Sequence, residues 1–511
     1  MEGEAGRPSI RLRYAGLILF ISRVYSLLVG LLFIIIATRR LTVGEFGLWN
    51  YISTILGYWI LPLDFIGYWI VRFTARGEHT GATAIFISLT MSTAIPMLFL
   101  LSSPTIFRSL NVDYLVLILV AVKLAIIGIS SPFDWIAQGL KPEIIAYASI
   151  VFETSKLLSA SILVAGLRLG LIGIISAISI GYVSKATILY RAVKGFTLGS
   201  SRDIKLIRRI FRGIWIPIYG SIPSILSSID AILLVHMTGT VDSLALISAI
   251  RTIGSPIALS LAISAALYPK LLAEGRLEDA EEAMKLVYML SIPSSIGVIL
   301  LAPYILSILR SEYTIVSIPL SVYAILQLIS IASHLAMTIA SGLEKVDLEE
   351  EAGFKDYVRS KLFRIANMSV ASSLIYVGML ACMLYLQKDS STSNINPSLS
   401  VTYMWIVSVT ISTIFSAVYA YKRLLKGIER IKTPWTSIAR YTAASIVMAI
   451  PVYILKPEAI YIEVLPLLRS ITPPILSGVA VYFATLYLID SWFRRLISRL
   501  TSIIIRRSSK F

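Results

Sequence analysis

The chain alternates long apolar runs with short polar turns. The runs fall at about 14–37, 46–71, 82–101, 114–137, 144–166, 169–190, 213–237, 242–268, 286–309, 315–341, 362–386, 400–421, 438–455 and 467–490. A bilayer-spanning α-helix needs roughly 20 predominantly apolar residues. The pattern therefore predicts fourteen transmembrane helices in an all-α polytopic membrane protein. An even count places both termini on one side.

Composition agrees with that reading. Of the 511 residues, 57% are hydrophobic and only 15% charged. This excludes a soluble globular enzyme, a disordered chain and a collagen-like fibre, and it leaves no room for a sizeable extramembrane domain. The net charge of +17 would point to nucleic acid in a soluble protein. Here the positions of the bases explain it. Of the 46 Lys and Arg, 33 fall in alternate segments that the topology makes cytoplasmic, eight in the outer segments and five inside spans. Such a bias over short loops is the positive-inside signature. It predicts a multi-pass cell-membrane protein with both termini cytoplasmic, membrane lipids as its surroundings and no nucleic-acid partner. Arg7, Arg11 and Arg13 precede the first run as in a signal peptide, but the run is too long and no cleavage site follows. It is read as a retained first span. The single cysteine, Cys382, lies in an apolar run, where it is expected to pack as a small hydrophobe.

The organisation suggests duplication. Spans 1–2 and 7–8 share a long span, a short outer turn, a second span and a basic-acidic inner segment. This predicts an N-terminal lobe at 1–193 (spans 1–6), a basic cytoplasmic linker at 194–212, a C-terminal lobe at 213–421 (spans 7–12), spans 13–14 at 422–490 and a basic tail at 491–511. In the tail, Leu496, Leu500, Ile503 and Ile504 share a helical face flanked by arginines. That fits an interfacial helix and equally a frayed basic end.

Five bases lie within the apolar runs: Arg23, Lys123, Lys156, Lys185 and Arg251. Lys185 is within snorkelling reach of the cytoplasm. The other four are deep, each costing about 2.5–3.5 kcal/mol if left in lipid. They are expected to face protein or water. Asp64, Glu153 and Asp230 are the comparable acids, and Asp134 sits near the inner end of span 4. Glu153 and Lys156 are three residues apart and can pair on one helix face. Asp64 or Asp230 can pair with Arg23 or Arg251. The functional alternative is a cationic, water-filled cavity for an anionic ligand. Twelve prolines inside spans suit a protein with kinked helices, as does ordinary enrichment of proline in membranes.

Other chemistry has little footing. No P-loop, GxSxG, HExxH or CxxC occurs, and the three histidines lie in separate segments. No catalytic residue, metal site or cofactor is expected. The short loops leave no place for the acidic motif of a membrane glycosyltransferase or for a nucleotide-binding domain.

Several short segments carry a resemblance. Ala37–Gly47 (ATRRLTVGEFG) resembles the turn after the first span of the Wzx-type oligosaccharide-lipid flippases of the multidrug/oligosaccharidyl-lipid/polysaccharide exporter superfamily. Leu63–Arg76 (LDFIGYWIVRFTAR), Gln138–Gly139 and Leu267–Gly275 (LYPKLLAEG) are similar to later family segments. Thr42, Val43, Gly44 and Asp64 depart from the pattern. The resemblance implies two pseudo-symmetric six-helix lobes around a cavity, with two C-terminal helices added. It implies a transporter that moves an isoprenoid (pyro)phosphate-linked oligosaccharide to the outer leaflet by alternating access. Arg23 and Arg251 are then expected to grip the phosphate, with Lys123 and Lys156 as further candidates. Asp64, Glu153 and Asp230 are candidates for coupling to a H⁺ or Na⁺ gradient or for structural pairing. Glycan-assembly enzymes are candidate partners, and the oligomeric state is open. The alternatives are a drug or cation antiporter of the same fold, which predicts twelve spans and an anionic cavity, a membrane enzyme acting on lipid-linked sugars, or a non-transporting scaffold.

Overall fold

The computed structural model describes residues 12–198, 202–266, 277–344, 360–388, 396–425, 433–460 and 463–498. Among the described residues, fourteen helices are long and apolar enough to cross a membrane, and they fall on the fourteen apolar runs. The first are α1 (Leu12–Arg40), α2 (Val43–Ala75), α3 (Gly81–Ile106), α4 (Tyr114–Leu140), α5 (Pro142–Ala160) and α6 (Gly170–Leu198). A short α7 (Ile204–Gly213) precedes α8 (Trp215–Thr238) and α9 (Asp242–Gly254). Then follow α10 (Leu277–Leu309), α11 (Ser317–Gly342), α12 (Lys361–Lys388), α13 (Pro397–Tyr419), α14 (Trp435–Ile454) and α15 (Val464–Ile489). The eighth run changes helical type after Gly254, continuing as a 3-10 stretch over Ser255–Ala266. Pro256 stands at this change, where its missing N–H removes an α-helical bond. The expected basic linker is itself mostly helical, since α6 runs to Leu198 and α7 begins at Ile204.

Contacts divide the chain into two compact units, 1–245 and 246–511. In the first, α1 packs on α5, α5 on α6, α6 on α4, α4 on α2 and α3, and α8 on α2. In the second, α10 packs on α11 and α14, α11 on α13, and α12 on α13. The two last spans dock through α14 and α15 onto α10, burying Met289, Ile292, Leu301, Tyr441, Met448 and Tyr482 together. Tyr482 donates its hydroxyl proton to the Met289 carbonyl at 2.7 Å, so the buried phenol is satisfied. Leu496 packs against this core, whereas Leu500, Ile503 and Ile504 lie outside the described residues.

The family-like segments prove to be packing devices in the first unit. Thr42 caps α2 with a T-x-x-E box: its hydroxyl accepts from the Glu45 amide at 3.1 Å, and the Glu45 carboxylate accepts from the Thr42 amide at 2.8 Å. A Cβ at Gly47 would meet the backbone carbonyl of Val241, in the turn that joins α8 to α9. The start of α2 therefore lies directly against that turn. A Cβ at Gly67 would strike the Trp135 indole, and one at Gly139 would come within 2.8 Å of Thr74 Cβ. These glycines let α2 and α4 approach closely. The Leu267–Gly275 segment lies outside the described residues. Thr42→Ala should cost about 1 kcal/mol, read as a lowered thermal midpoint of the detergent-solubilised chain.

Cys382 departs from expectation. It is exposed on α12 instead of packed. A thiol on the outer surface of a span is as well solvated by lipid as by protein, so apolar sequence context alone does not bury it.

Candidate functional site

In the first unit the deep charges gather along α1, α4 and α5. Ser22 donates to the Ala146 carbonyl at 3.0 Å, and Tyr25 Oη lies 2.7 Å from Thr154 Oγ1. These bonds, with buried Val29, fix one face of α1 against α5. Arg23 is about 100° around the helix from Ser22 and stands exposed. It makes no ion pair among the described residues.

Lys156, on the buried side of α5, has Glu153 Oε2 at 2.6 Å. Its ammonium also lies 4.8 Å from the Phe33 ring centroid and 5.0 Å from that of Phe152. Cation–π contact and a carboxylate one helical turn away thus hold this charge. Lys123, on α4, is 8% exposed and is subject to the field of Lys156. Lys123, Lys156 and Glu153 therefore share this region.

The acids are arranged differently. Asp64 is exposed on α2. Asp230 is 1% exposed on α8, where its Oδ1 accepts from the Ala231 amide at 2.7 Å. Its charge reaches Tyr58 on α2, whose hydroxyl donates to the Ile225 carbonyl at 2.9 Å. Tyr182 on α6 lies in the field of Asp134, Asp64 and Glu153.

Lys185 requires a correction. Its ammonium does not simply reach for the cytoplasm; it is bound between helices by Asp134, at 2.7 Å from Oδ1 and 2.9 Å from Oδ2. The residues lie 51 positions apart, and the packing of α4 on α6 brings them together. Both side chains are largely buried. Asp134→Ala or Lys185→Ala should each cost about 1–2 kcal/mol by stranding the partner charge, and the double variant should recover part of the loss. Thermal unfolding of the four proteins checks this.

Arg251 belongs to the second unit and is surrounded by aromatic rings. Its guanidinium carbon lies 5.3 Å from the Trp405 ring centroid. Its Nη2 donates to Tyr376 Oη at 3.3 Å, and Trp405 Nε1 donates to the same oxygen at 2.8 Å. Tyr323 tilts against Trp405 with ring centroids 5.6 Å apart. Gly254, one turn beyond Arg251, makes room for it: a Cβ there would come within 2.6 Å of the Tyr323 ring. Trp405 is 1% exposed and Tyr376 is buried, whereas Arg251 is half-buried. Face contact and edge hydrogen bonding orient the guanidinium plane while leaving the charge intact. Sequence reading missed Trp405 and Tyr376, since aromatic residues inside spans are too common to single out.

No family model matches the sequence, and no curated protein matches it. Solved structures do. Lipid II flippase MurJ, in an inward closed conformation, superposes with a TM-score of 0.62 at 12% identity, covering 95% of this chain and 99% of that one. A multidrug resistance MATE family transporter of the MOP superfamily, inward-facing, gives 0.55 at 13% identity, covering 80% and 96%. A MOP superfamily transporter from Pyrococcus furiosus, described by the reverse polarity of its binding pocket, gives 0.52 at 13% identity, covering 80% and 94%. The chain shares the fold of these solved transporters. It is a multi-pass membrane protein of that architecture.

Coverage separates these structures. The MurJ superposition leaves 5% of the chain unmatched, too few residues to omit both α14 and α15. The other two leave 20% unmatched. In the second unit, α10, α14 and α15 line an open apolar cavity of about 340 Å³ with Pro293, Val298, Met448, Val452, Ile475 and Tyr482.

Proposed function

We propose that this protein is a transporter that flips an isoprenoid (pyro)phosphate-linked oligosaccharide across the membrane by alternating access. The observation that carries the reading is Arg23, an exposed guanidinium within the first apolar run, on a helix fastened through a neighbouring face. Such a charge in lipid is costly, so water or an anionic ligand is its natural neighbour. In the second unit Arg251, in contact with Trp405 and Tyr376, is a further guanidinium within an apolar run. Arginine suits a phosphate head because its planar fork donates two parallel hydrogen bonds. Lys156 and Lys123 add positive potential, partly offset by Glu153. The length of the match to MurJ, a lipid II flippase, supports a lipid-linked cargo over the shorter MATE-like architecture. The apolar cavity against α14 and α15 is compatible with a long hydrocarbon tail. The short loops argue for transport over enzymatic modification of such a lipid.

The second reading is a cation-coupled antiporter. It is favoured by Asp64, a carboxylate exposed on α2 within an apolar span. Asp64 and Asp230 are then the groups to test for H⁺ or Na⁺ coupling. Reconstitution decides between the two. Proteoliposomes should translocate a fluorescent lipid-linked oligosaccharide, and imposed H⁺ or Na⁺ gradients should reveal any coupling. Absence of translocation under every gradient, together with gradient-driven movement of an organic cation, would replace the first reading with the second.

A further inference from the structure

The short helix α7 was hidden in the sequence as part of a basic linker. It is docked firmly. Arg209 makes a two-point contact with Glu78, Nη1 to Oε2 at 2.8 Å and Nη2 to Oε1 at 3.1 Å. Its guanidinium carbon also lies 4.3 Å from the Phe73 ring centroid. Just before the helix, Arg202 lies 3.8 Å from the Phe86 ring centroid, and the Asp203 amide donates to Thr83 Oγ1 at 3.0 Å. Asp203 then caps α7 by accepting from the Lys205 amide at 2.8 Å. At the far end a Cβ on Gly213 would strike the Trp69 indole. The helix is thus clamped at both ends to α2 and α3.

Only part of its apolar surface is used in that docking. Leu206 and Ile210 are buried. At about 100° per residue, Ile207, Phe211 and Ile204 follow on one side of them, and Arg209, Lys205 and Arg212 on the other. Arg208 completes the ring beside Ile204. Ile204 is 71% exposed and Phe211 51%. Trp215, at the start of α8, is 65% exposed and extends the same apolar edge toward a membrane span. Lys205, Arg208 and Arg212 are exposed along the adjacent basic edge. One edge therefore seeks protein, the next seeks hydrocarbon and the third seeks anions.

We propose that α7 is a membrane-surface site for anionic phospholipid, with Ile204, Phe211 and Trp215 set into the acyl boundary and Lys205, Arg208 and Arg212 on the lipid phosphates of the cytoplasmic leaflet. An apolar face bordered by Lys and Arg is the pattern of helices that lie in the interface. The charge complementarity selects anionic over zwitterionic headgroups. Because the helix is already folded and clamped, binding costs little ordering. The site is separate from the deep bases and does not depend on the cargo.

The test titrates the full-length chain, in a neutral detergent, with short-chain phosphatidylglycerol or phosphatidylcholine and reads half-saturation by thermophoresis. Each base near an anionic surface contributes about fivefold to affinity. The triple variant Lys205→Gln, Arg208→Gln, Arg212→Gln should raise half-saturating phosphatidylglycerol by at least tenfold, with phosphatidylcholine unchanged. A control triple on the second unit, Lys422→Gln, Arg423→Gln, Arg440→Gln, should shift it less than twofold. The single Arg208→Gln, expected to give about fivefold, serves if the triple variant is unstable. Equal responses to both lipids, or an α7 triple within twofold of wild type, would overturn the proposal. So would a wild-type dimer, seen by mass photometry, that the same triple dissociates, since the face would then seat a second copy.

Discussion

Reversing the charge at Arg251 and Arg23 should abolish translocation while leaving insertion intact. The Arg251→Glu and Arg23→Glu proteins are each expected to move lipid-linked oligosaccharide at least a hundredfold more slowly than wild type. Replacing an attractive charge with a repulsive one beside a phosphate costs well over the roughly 1.4 kcal/mol that corresponds to each tenfold. Arg→Lys variants should lie between, since lysine keeps the charge but loses the planar fork. Insertion is checked by membrane yield, and folding by a single gel-filtration peak and an unshifted thermal midpoint. Arg23 is the cleaner test because it is exposed and its helix is pinned by Ser22 and Tyr25. Arg251 touches Trp405 and Tyr376, so its variants need the folding check most. Wild-type rates in both Glu variants would remove the cationic site from the mechanism.

The largest effect on stability is expected at Gly47. The atom that its missing side chain would meet is a backbone carbonyl, at Val241, which cannot swing aside as a side chain can. Gly47→Val should therefore push the start of α2 away from the α8–α9 turn and cost about 3 kcal/mol or more, at the upper end of overpacking effects. Loss of the folded gel-filtration peak, or a much lowered thermal midpoint, would show it. Gly57 provides the control on the same helix, because nothing lies within 4 Å of a Cβ placed there. Gly57→Ala should be neutral or should stabilise by up to about 1 kcal/mol through helix propensity. Equal behaviour of the two variants would mean that the close approach at Gly47 has no role in stability.

The spans were legible because each carries its own signal. Some twenty consecutive apolar residues mark a span by themselves. Helix α7 was not legible, since ten residues with several bases read equally as a solvated linker. Its partner Glu78 lies 131 positions from Arg209, and no local period points to that distance. The deep charges could be found one by one, but not their company. Glu153 and Lys156 were readable as a pair because helical geometry alone brings i and i+3 together. The rings around Arg251 come from α11, α12 and α13, with Tyr376 separated from it by 125 positions. Family-like glycines were visible as a pattern, yet their purpose, close helix approach, required knowing which carbonyl or indole stood opposite.

The contact between Trp405 and Arg251 has an optical consequence. An indole lying against a guanidinium, with its N–H committed to a neighbouring phenol, emits beside a positive charge. An anion that draws the guanidinium away or screens it should alter that emission, so the second unit carries its own intrinsic reporter of occupancy. Seven other tryptophans contribute to the 8 in the chain, and a difference spectrum against Trp405→Phe isolates the signal.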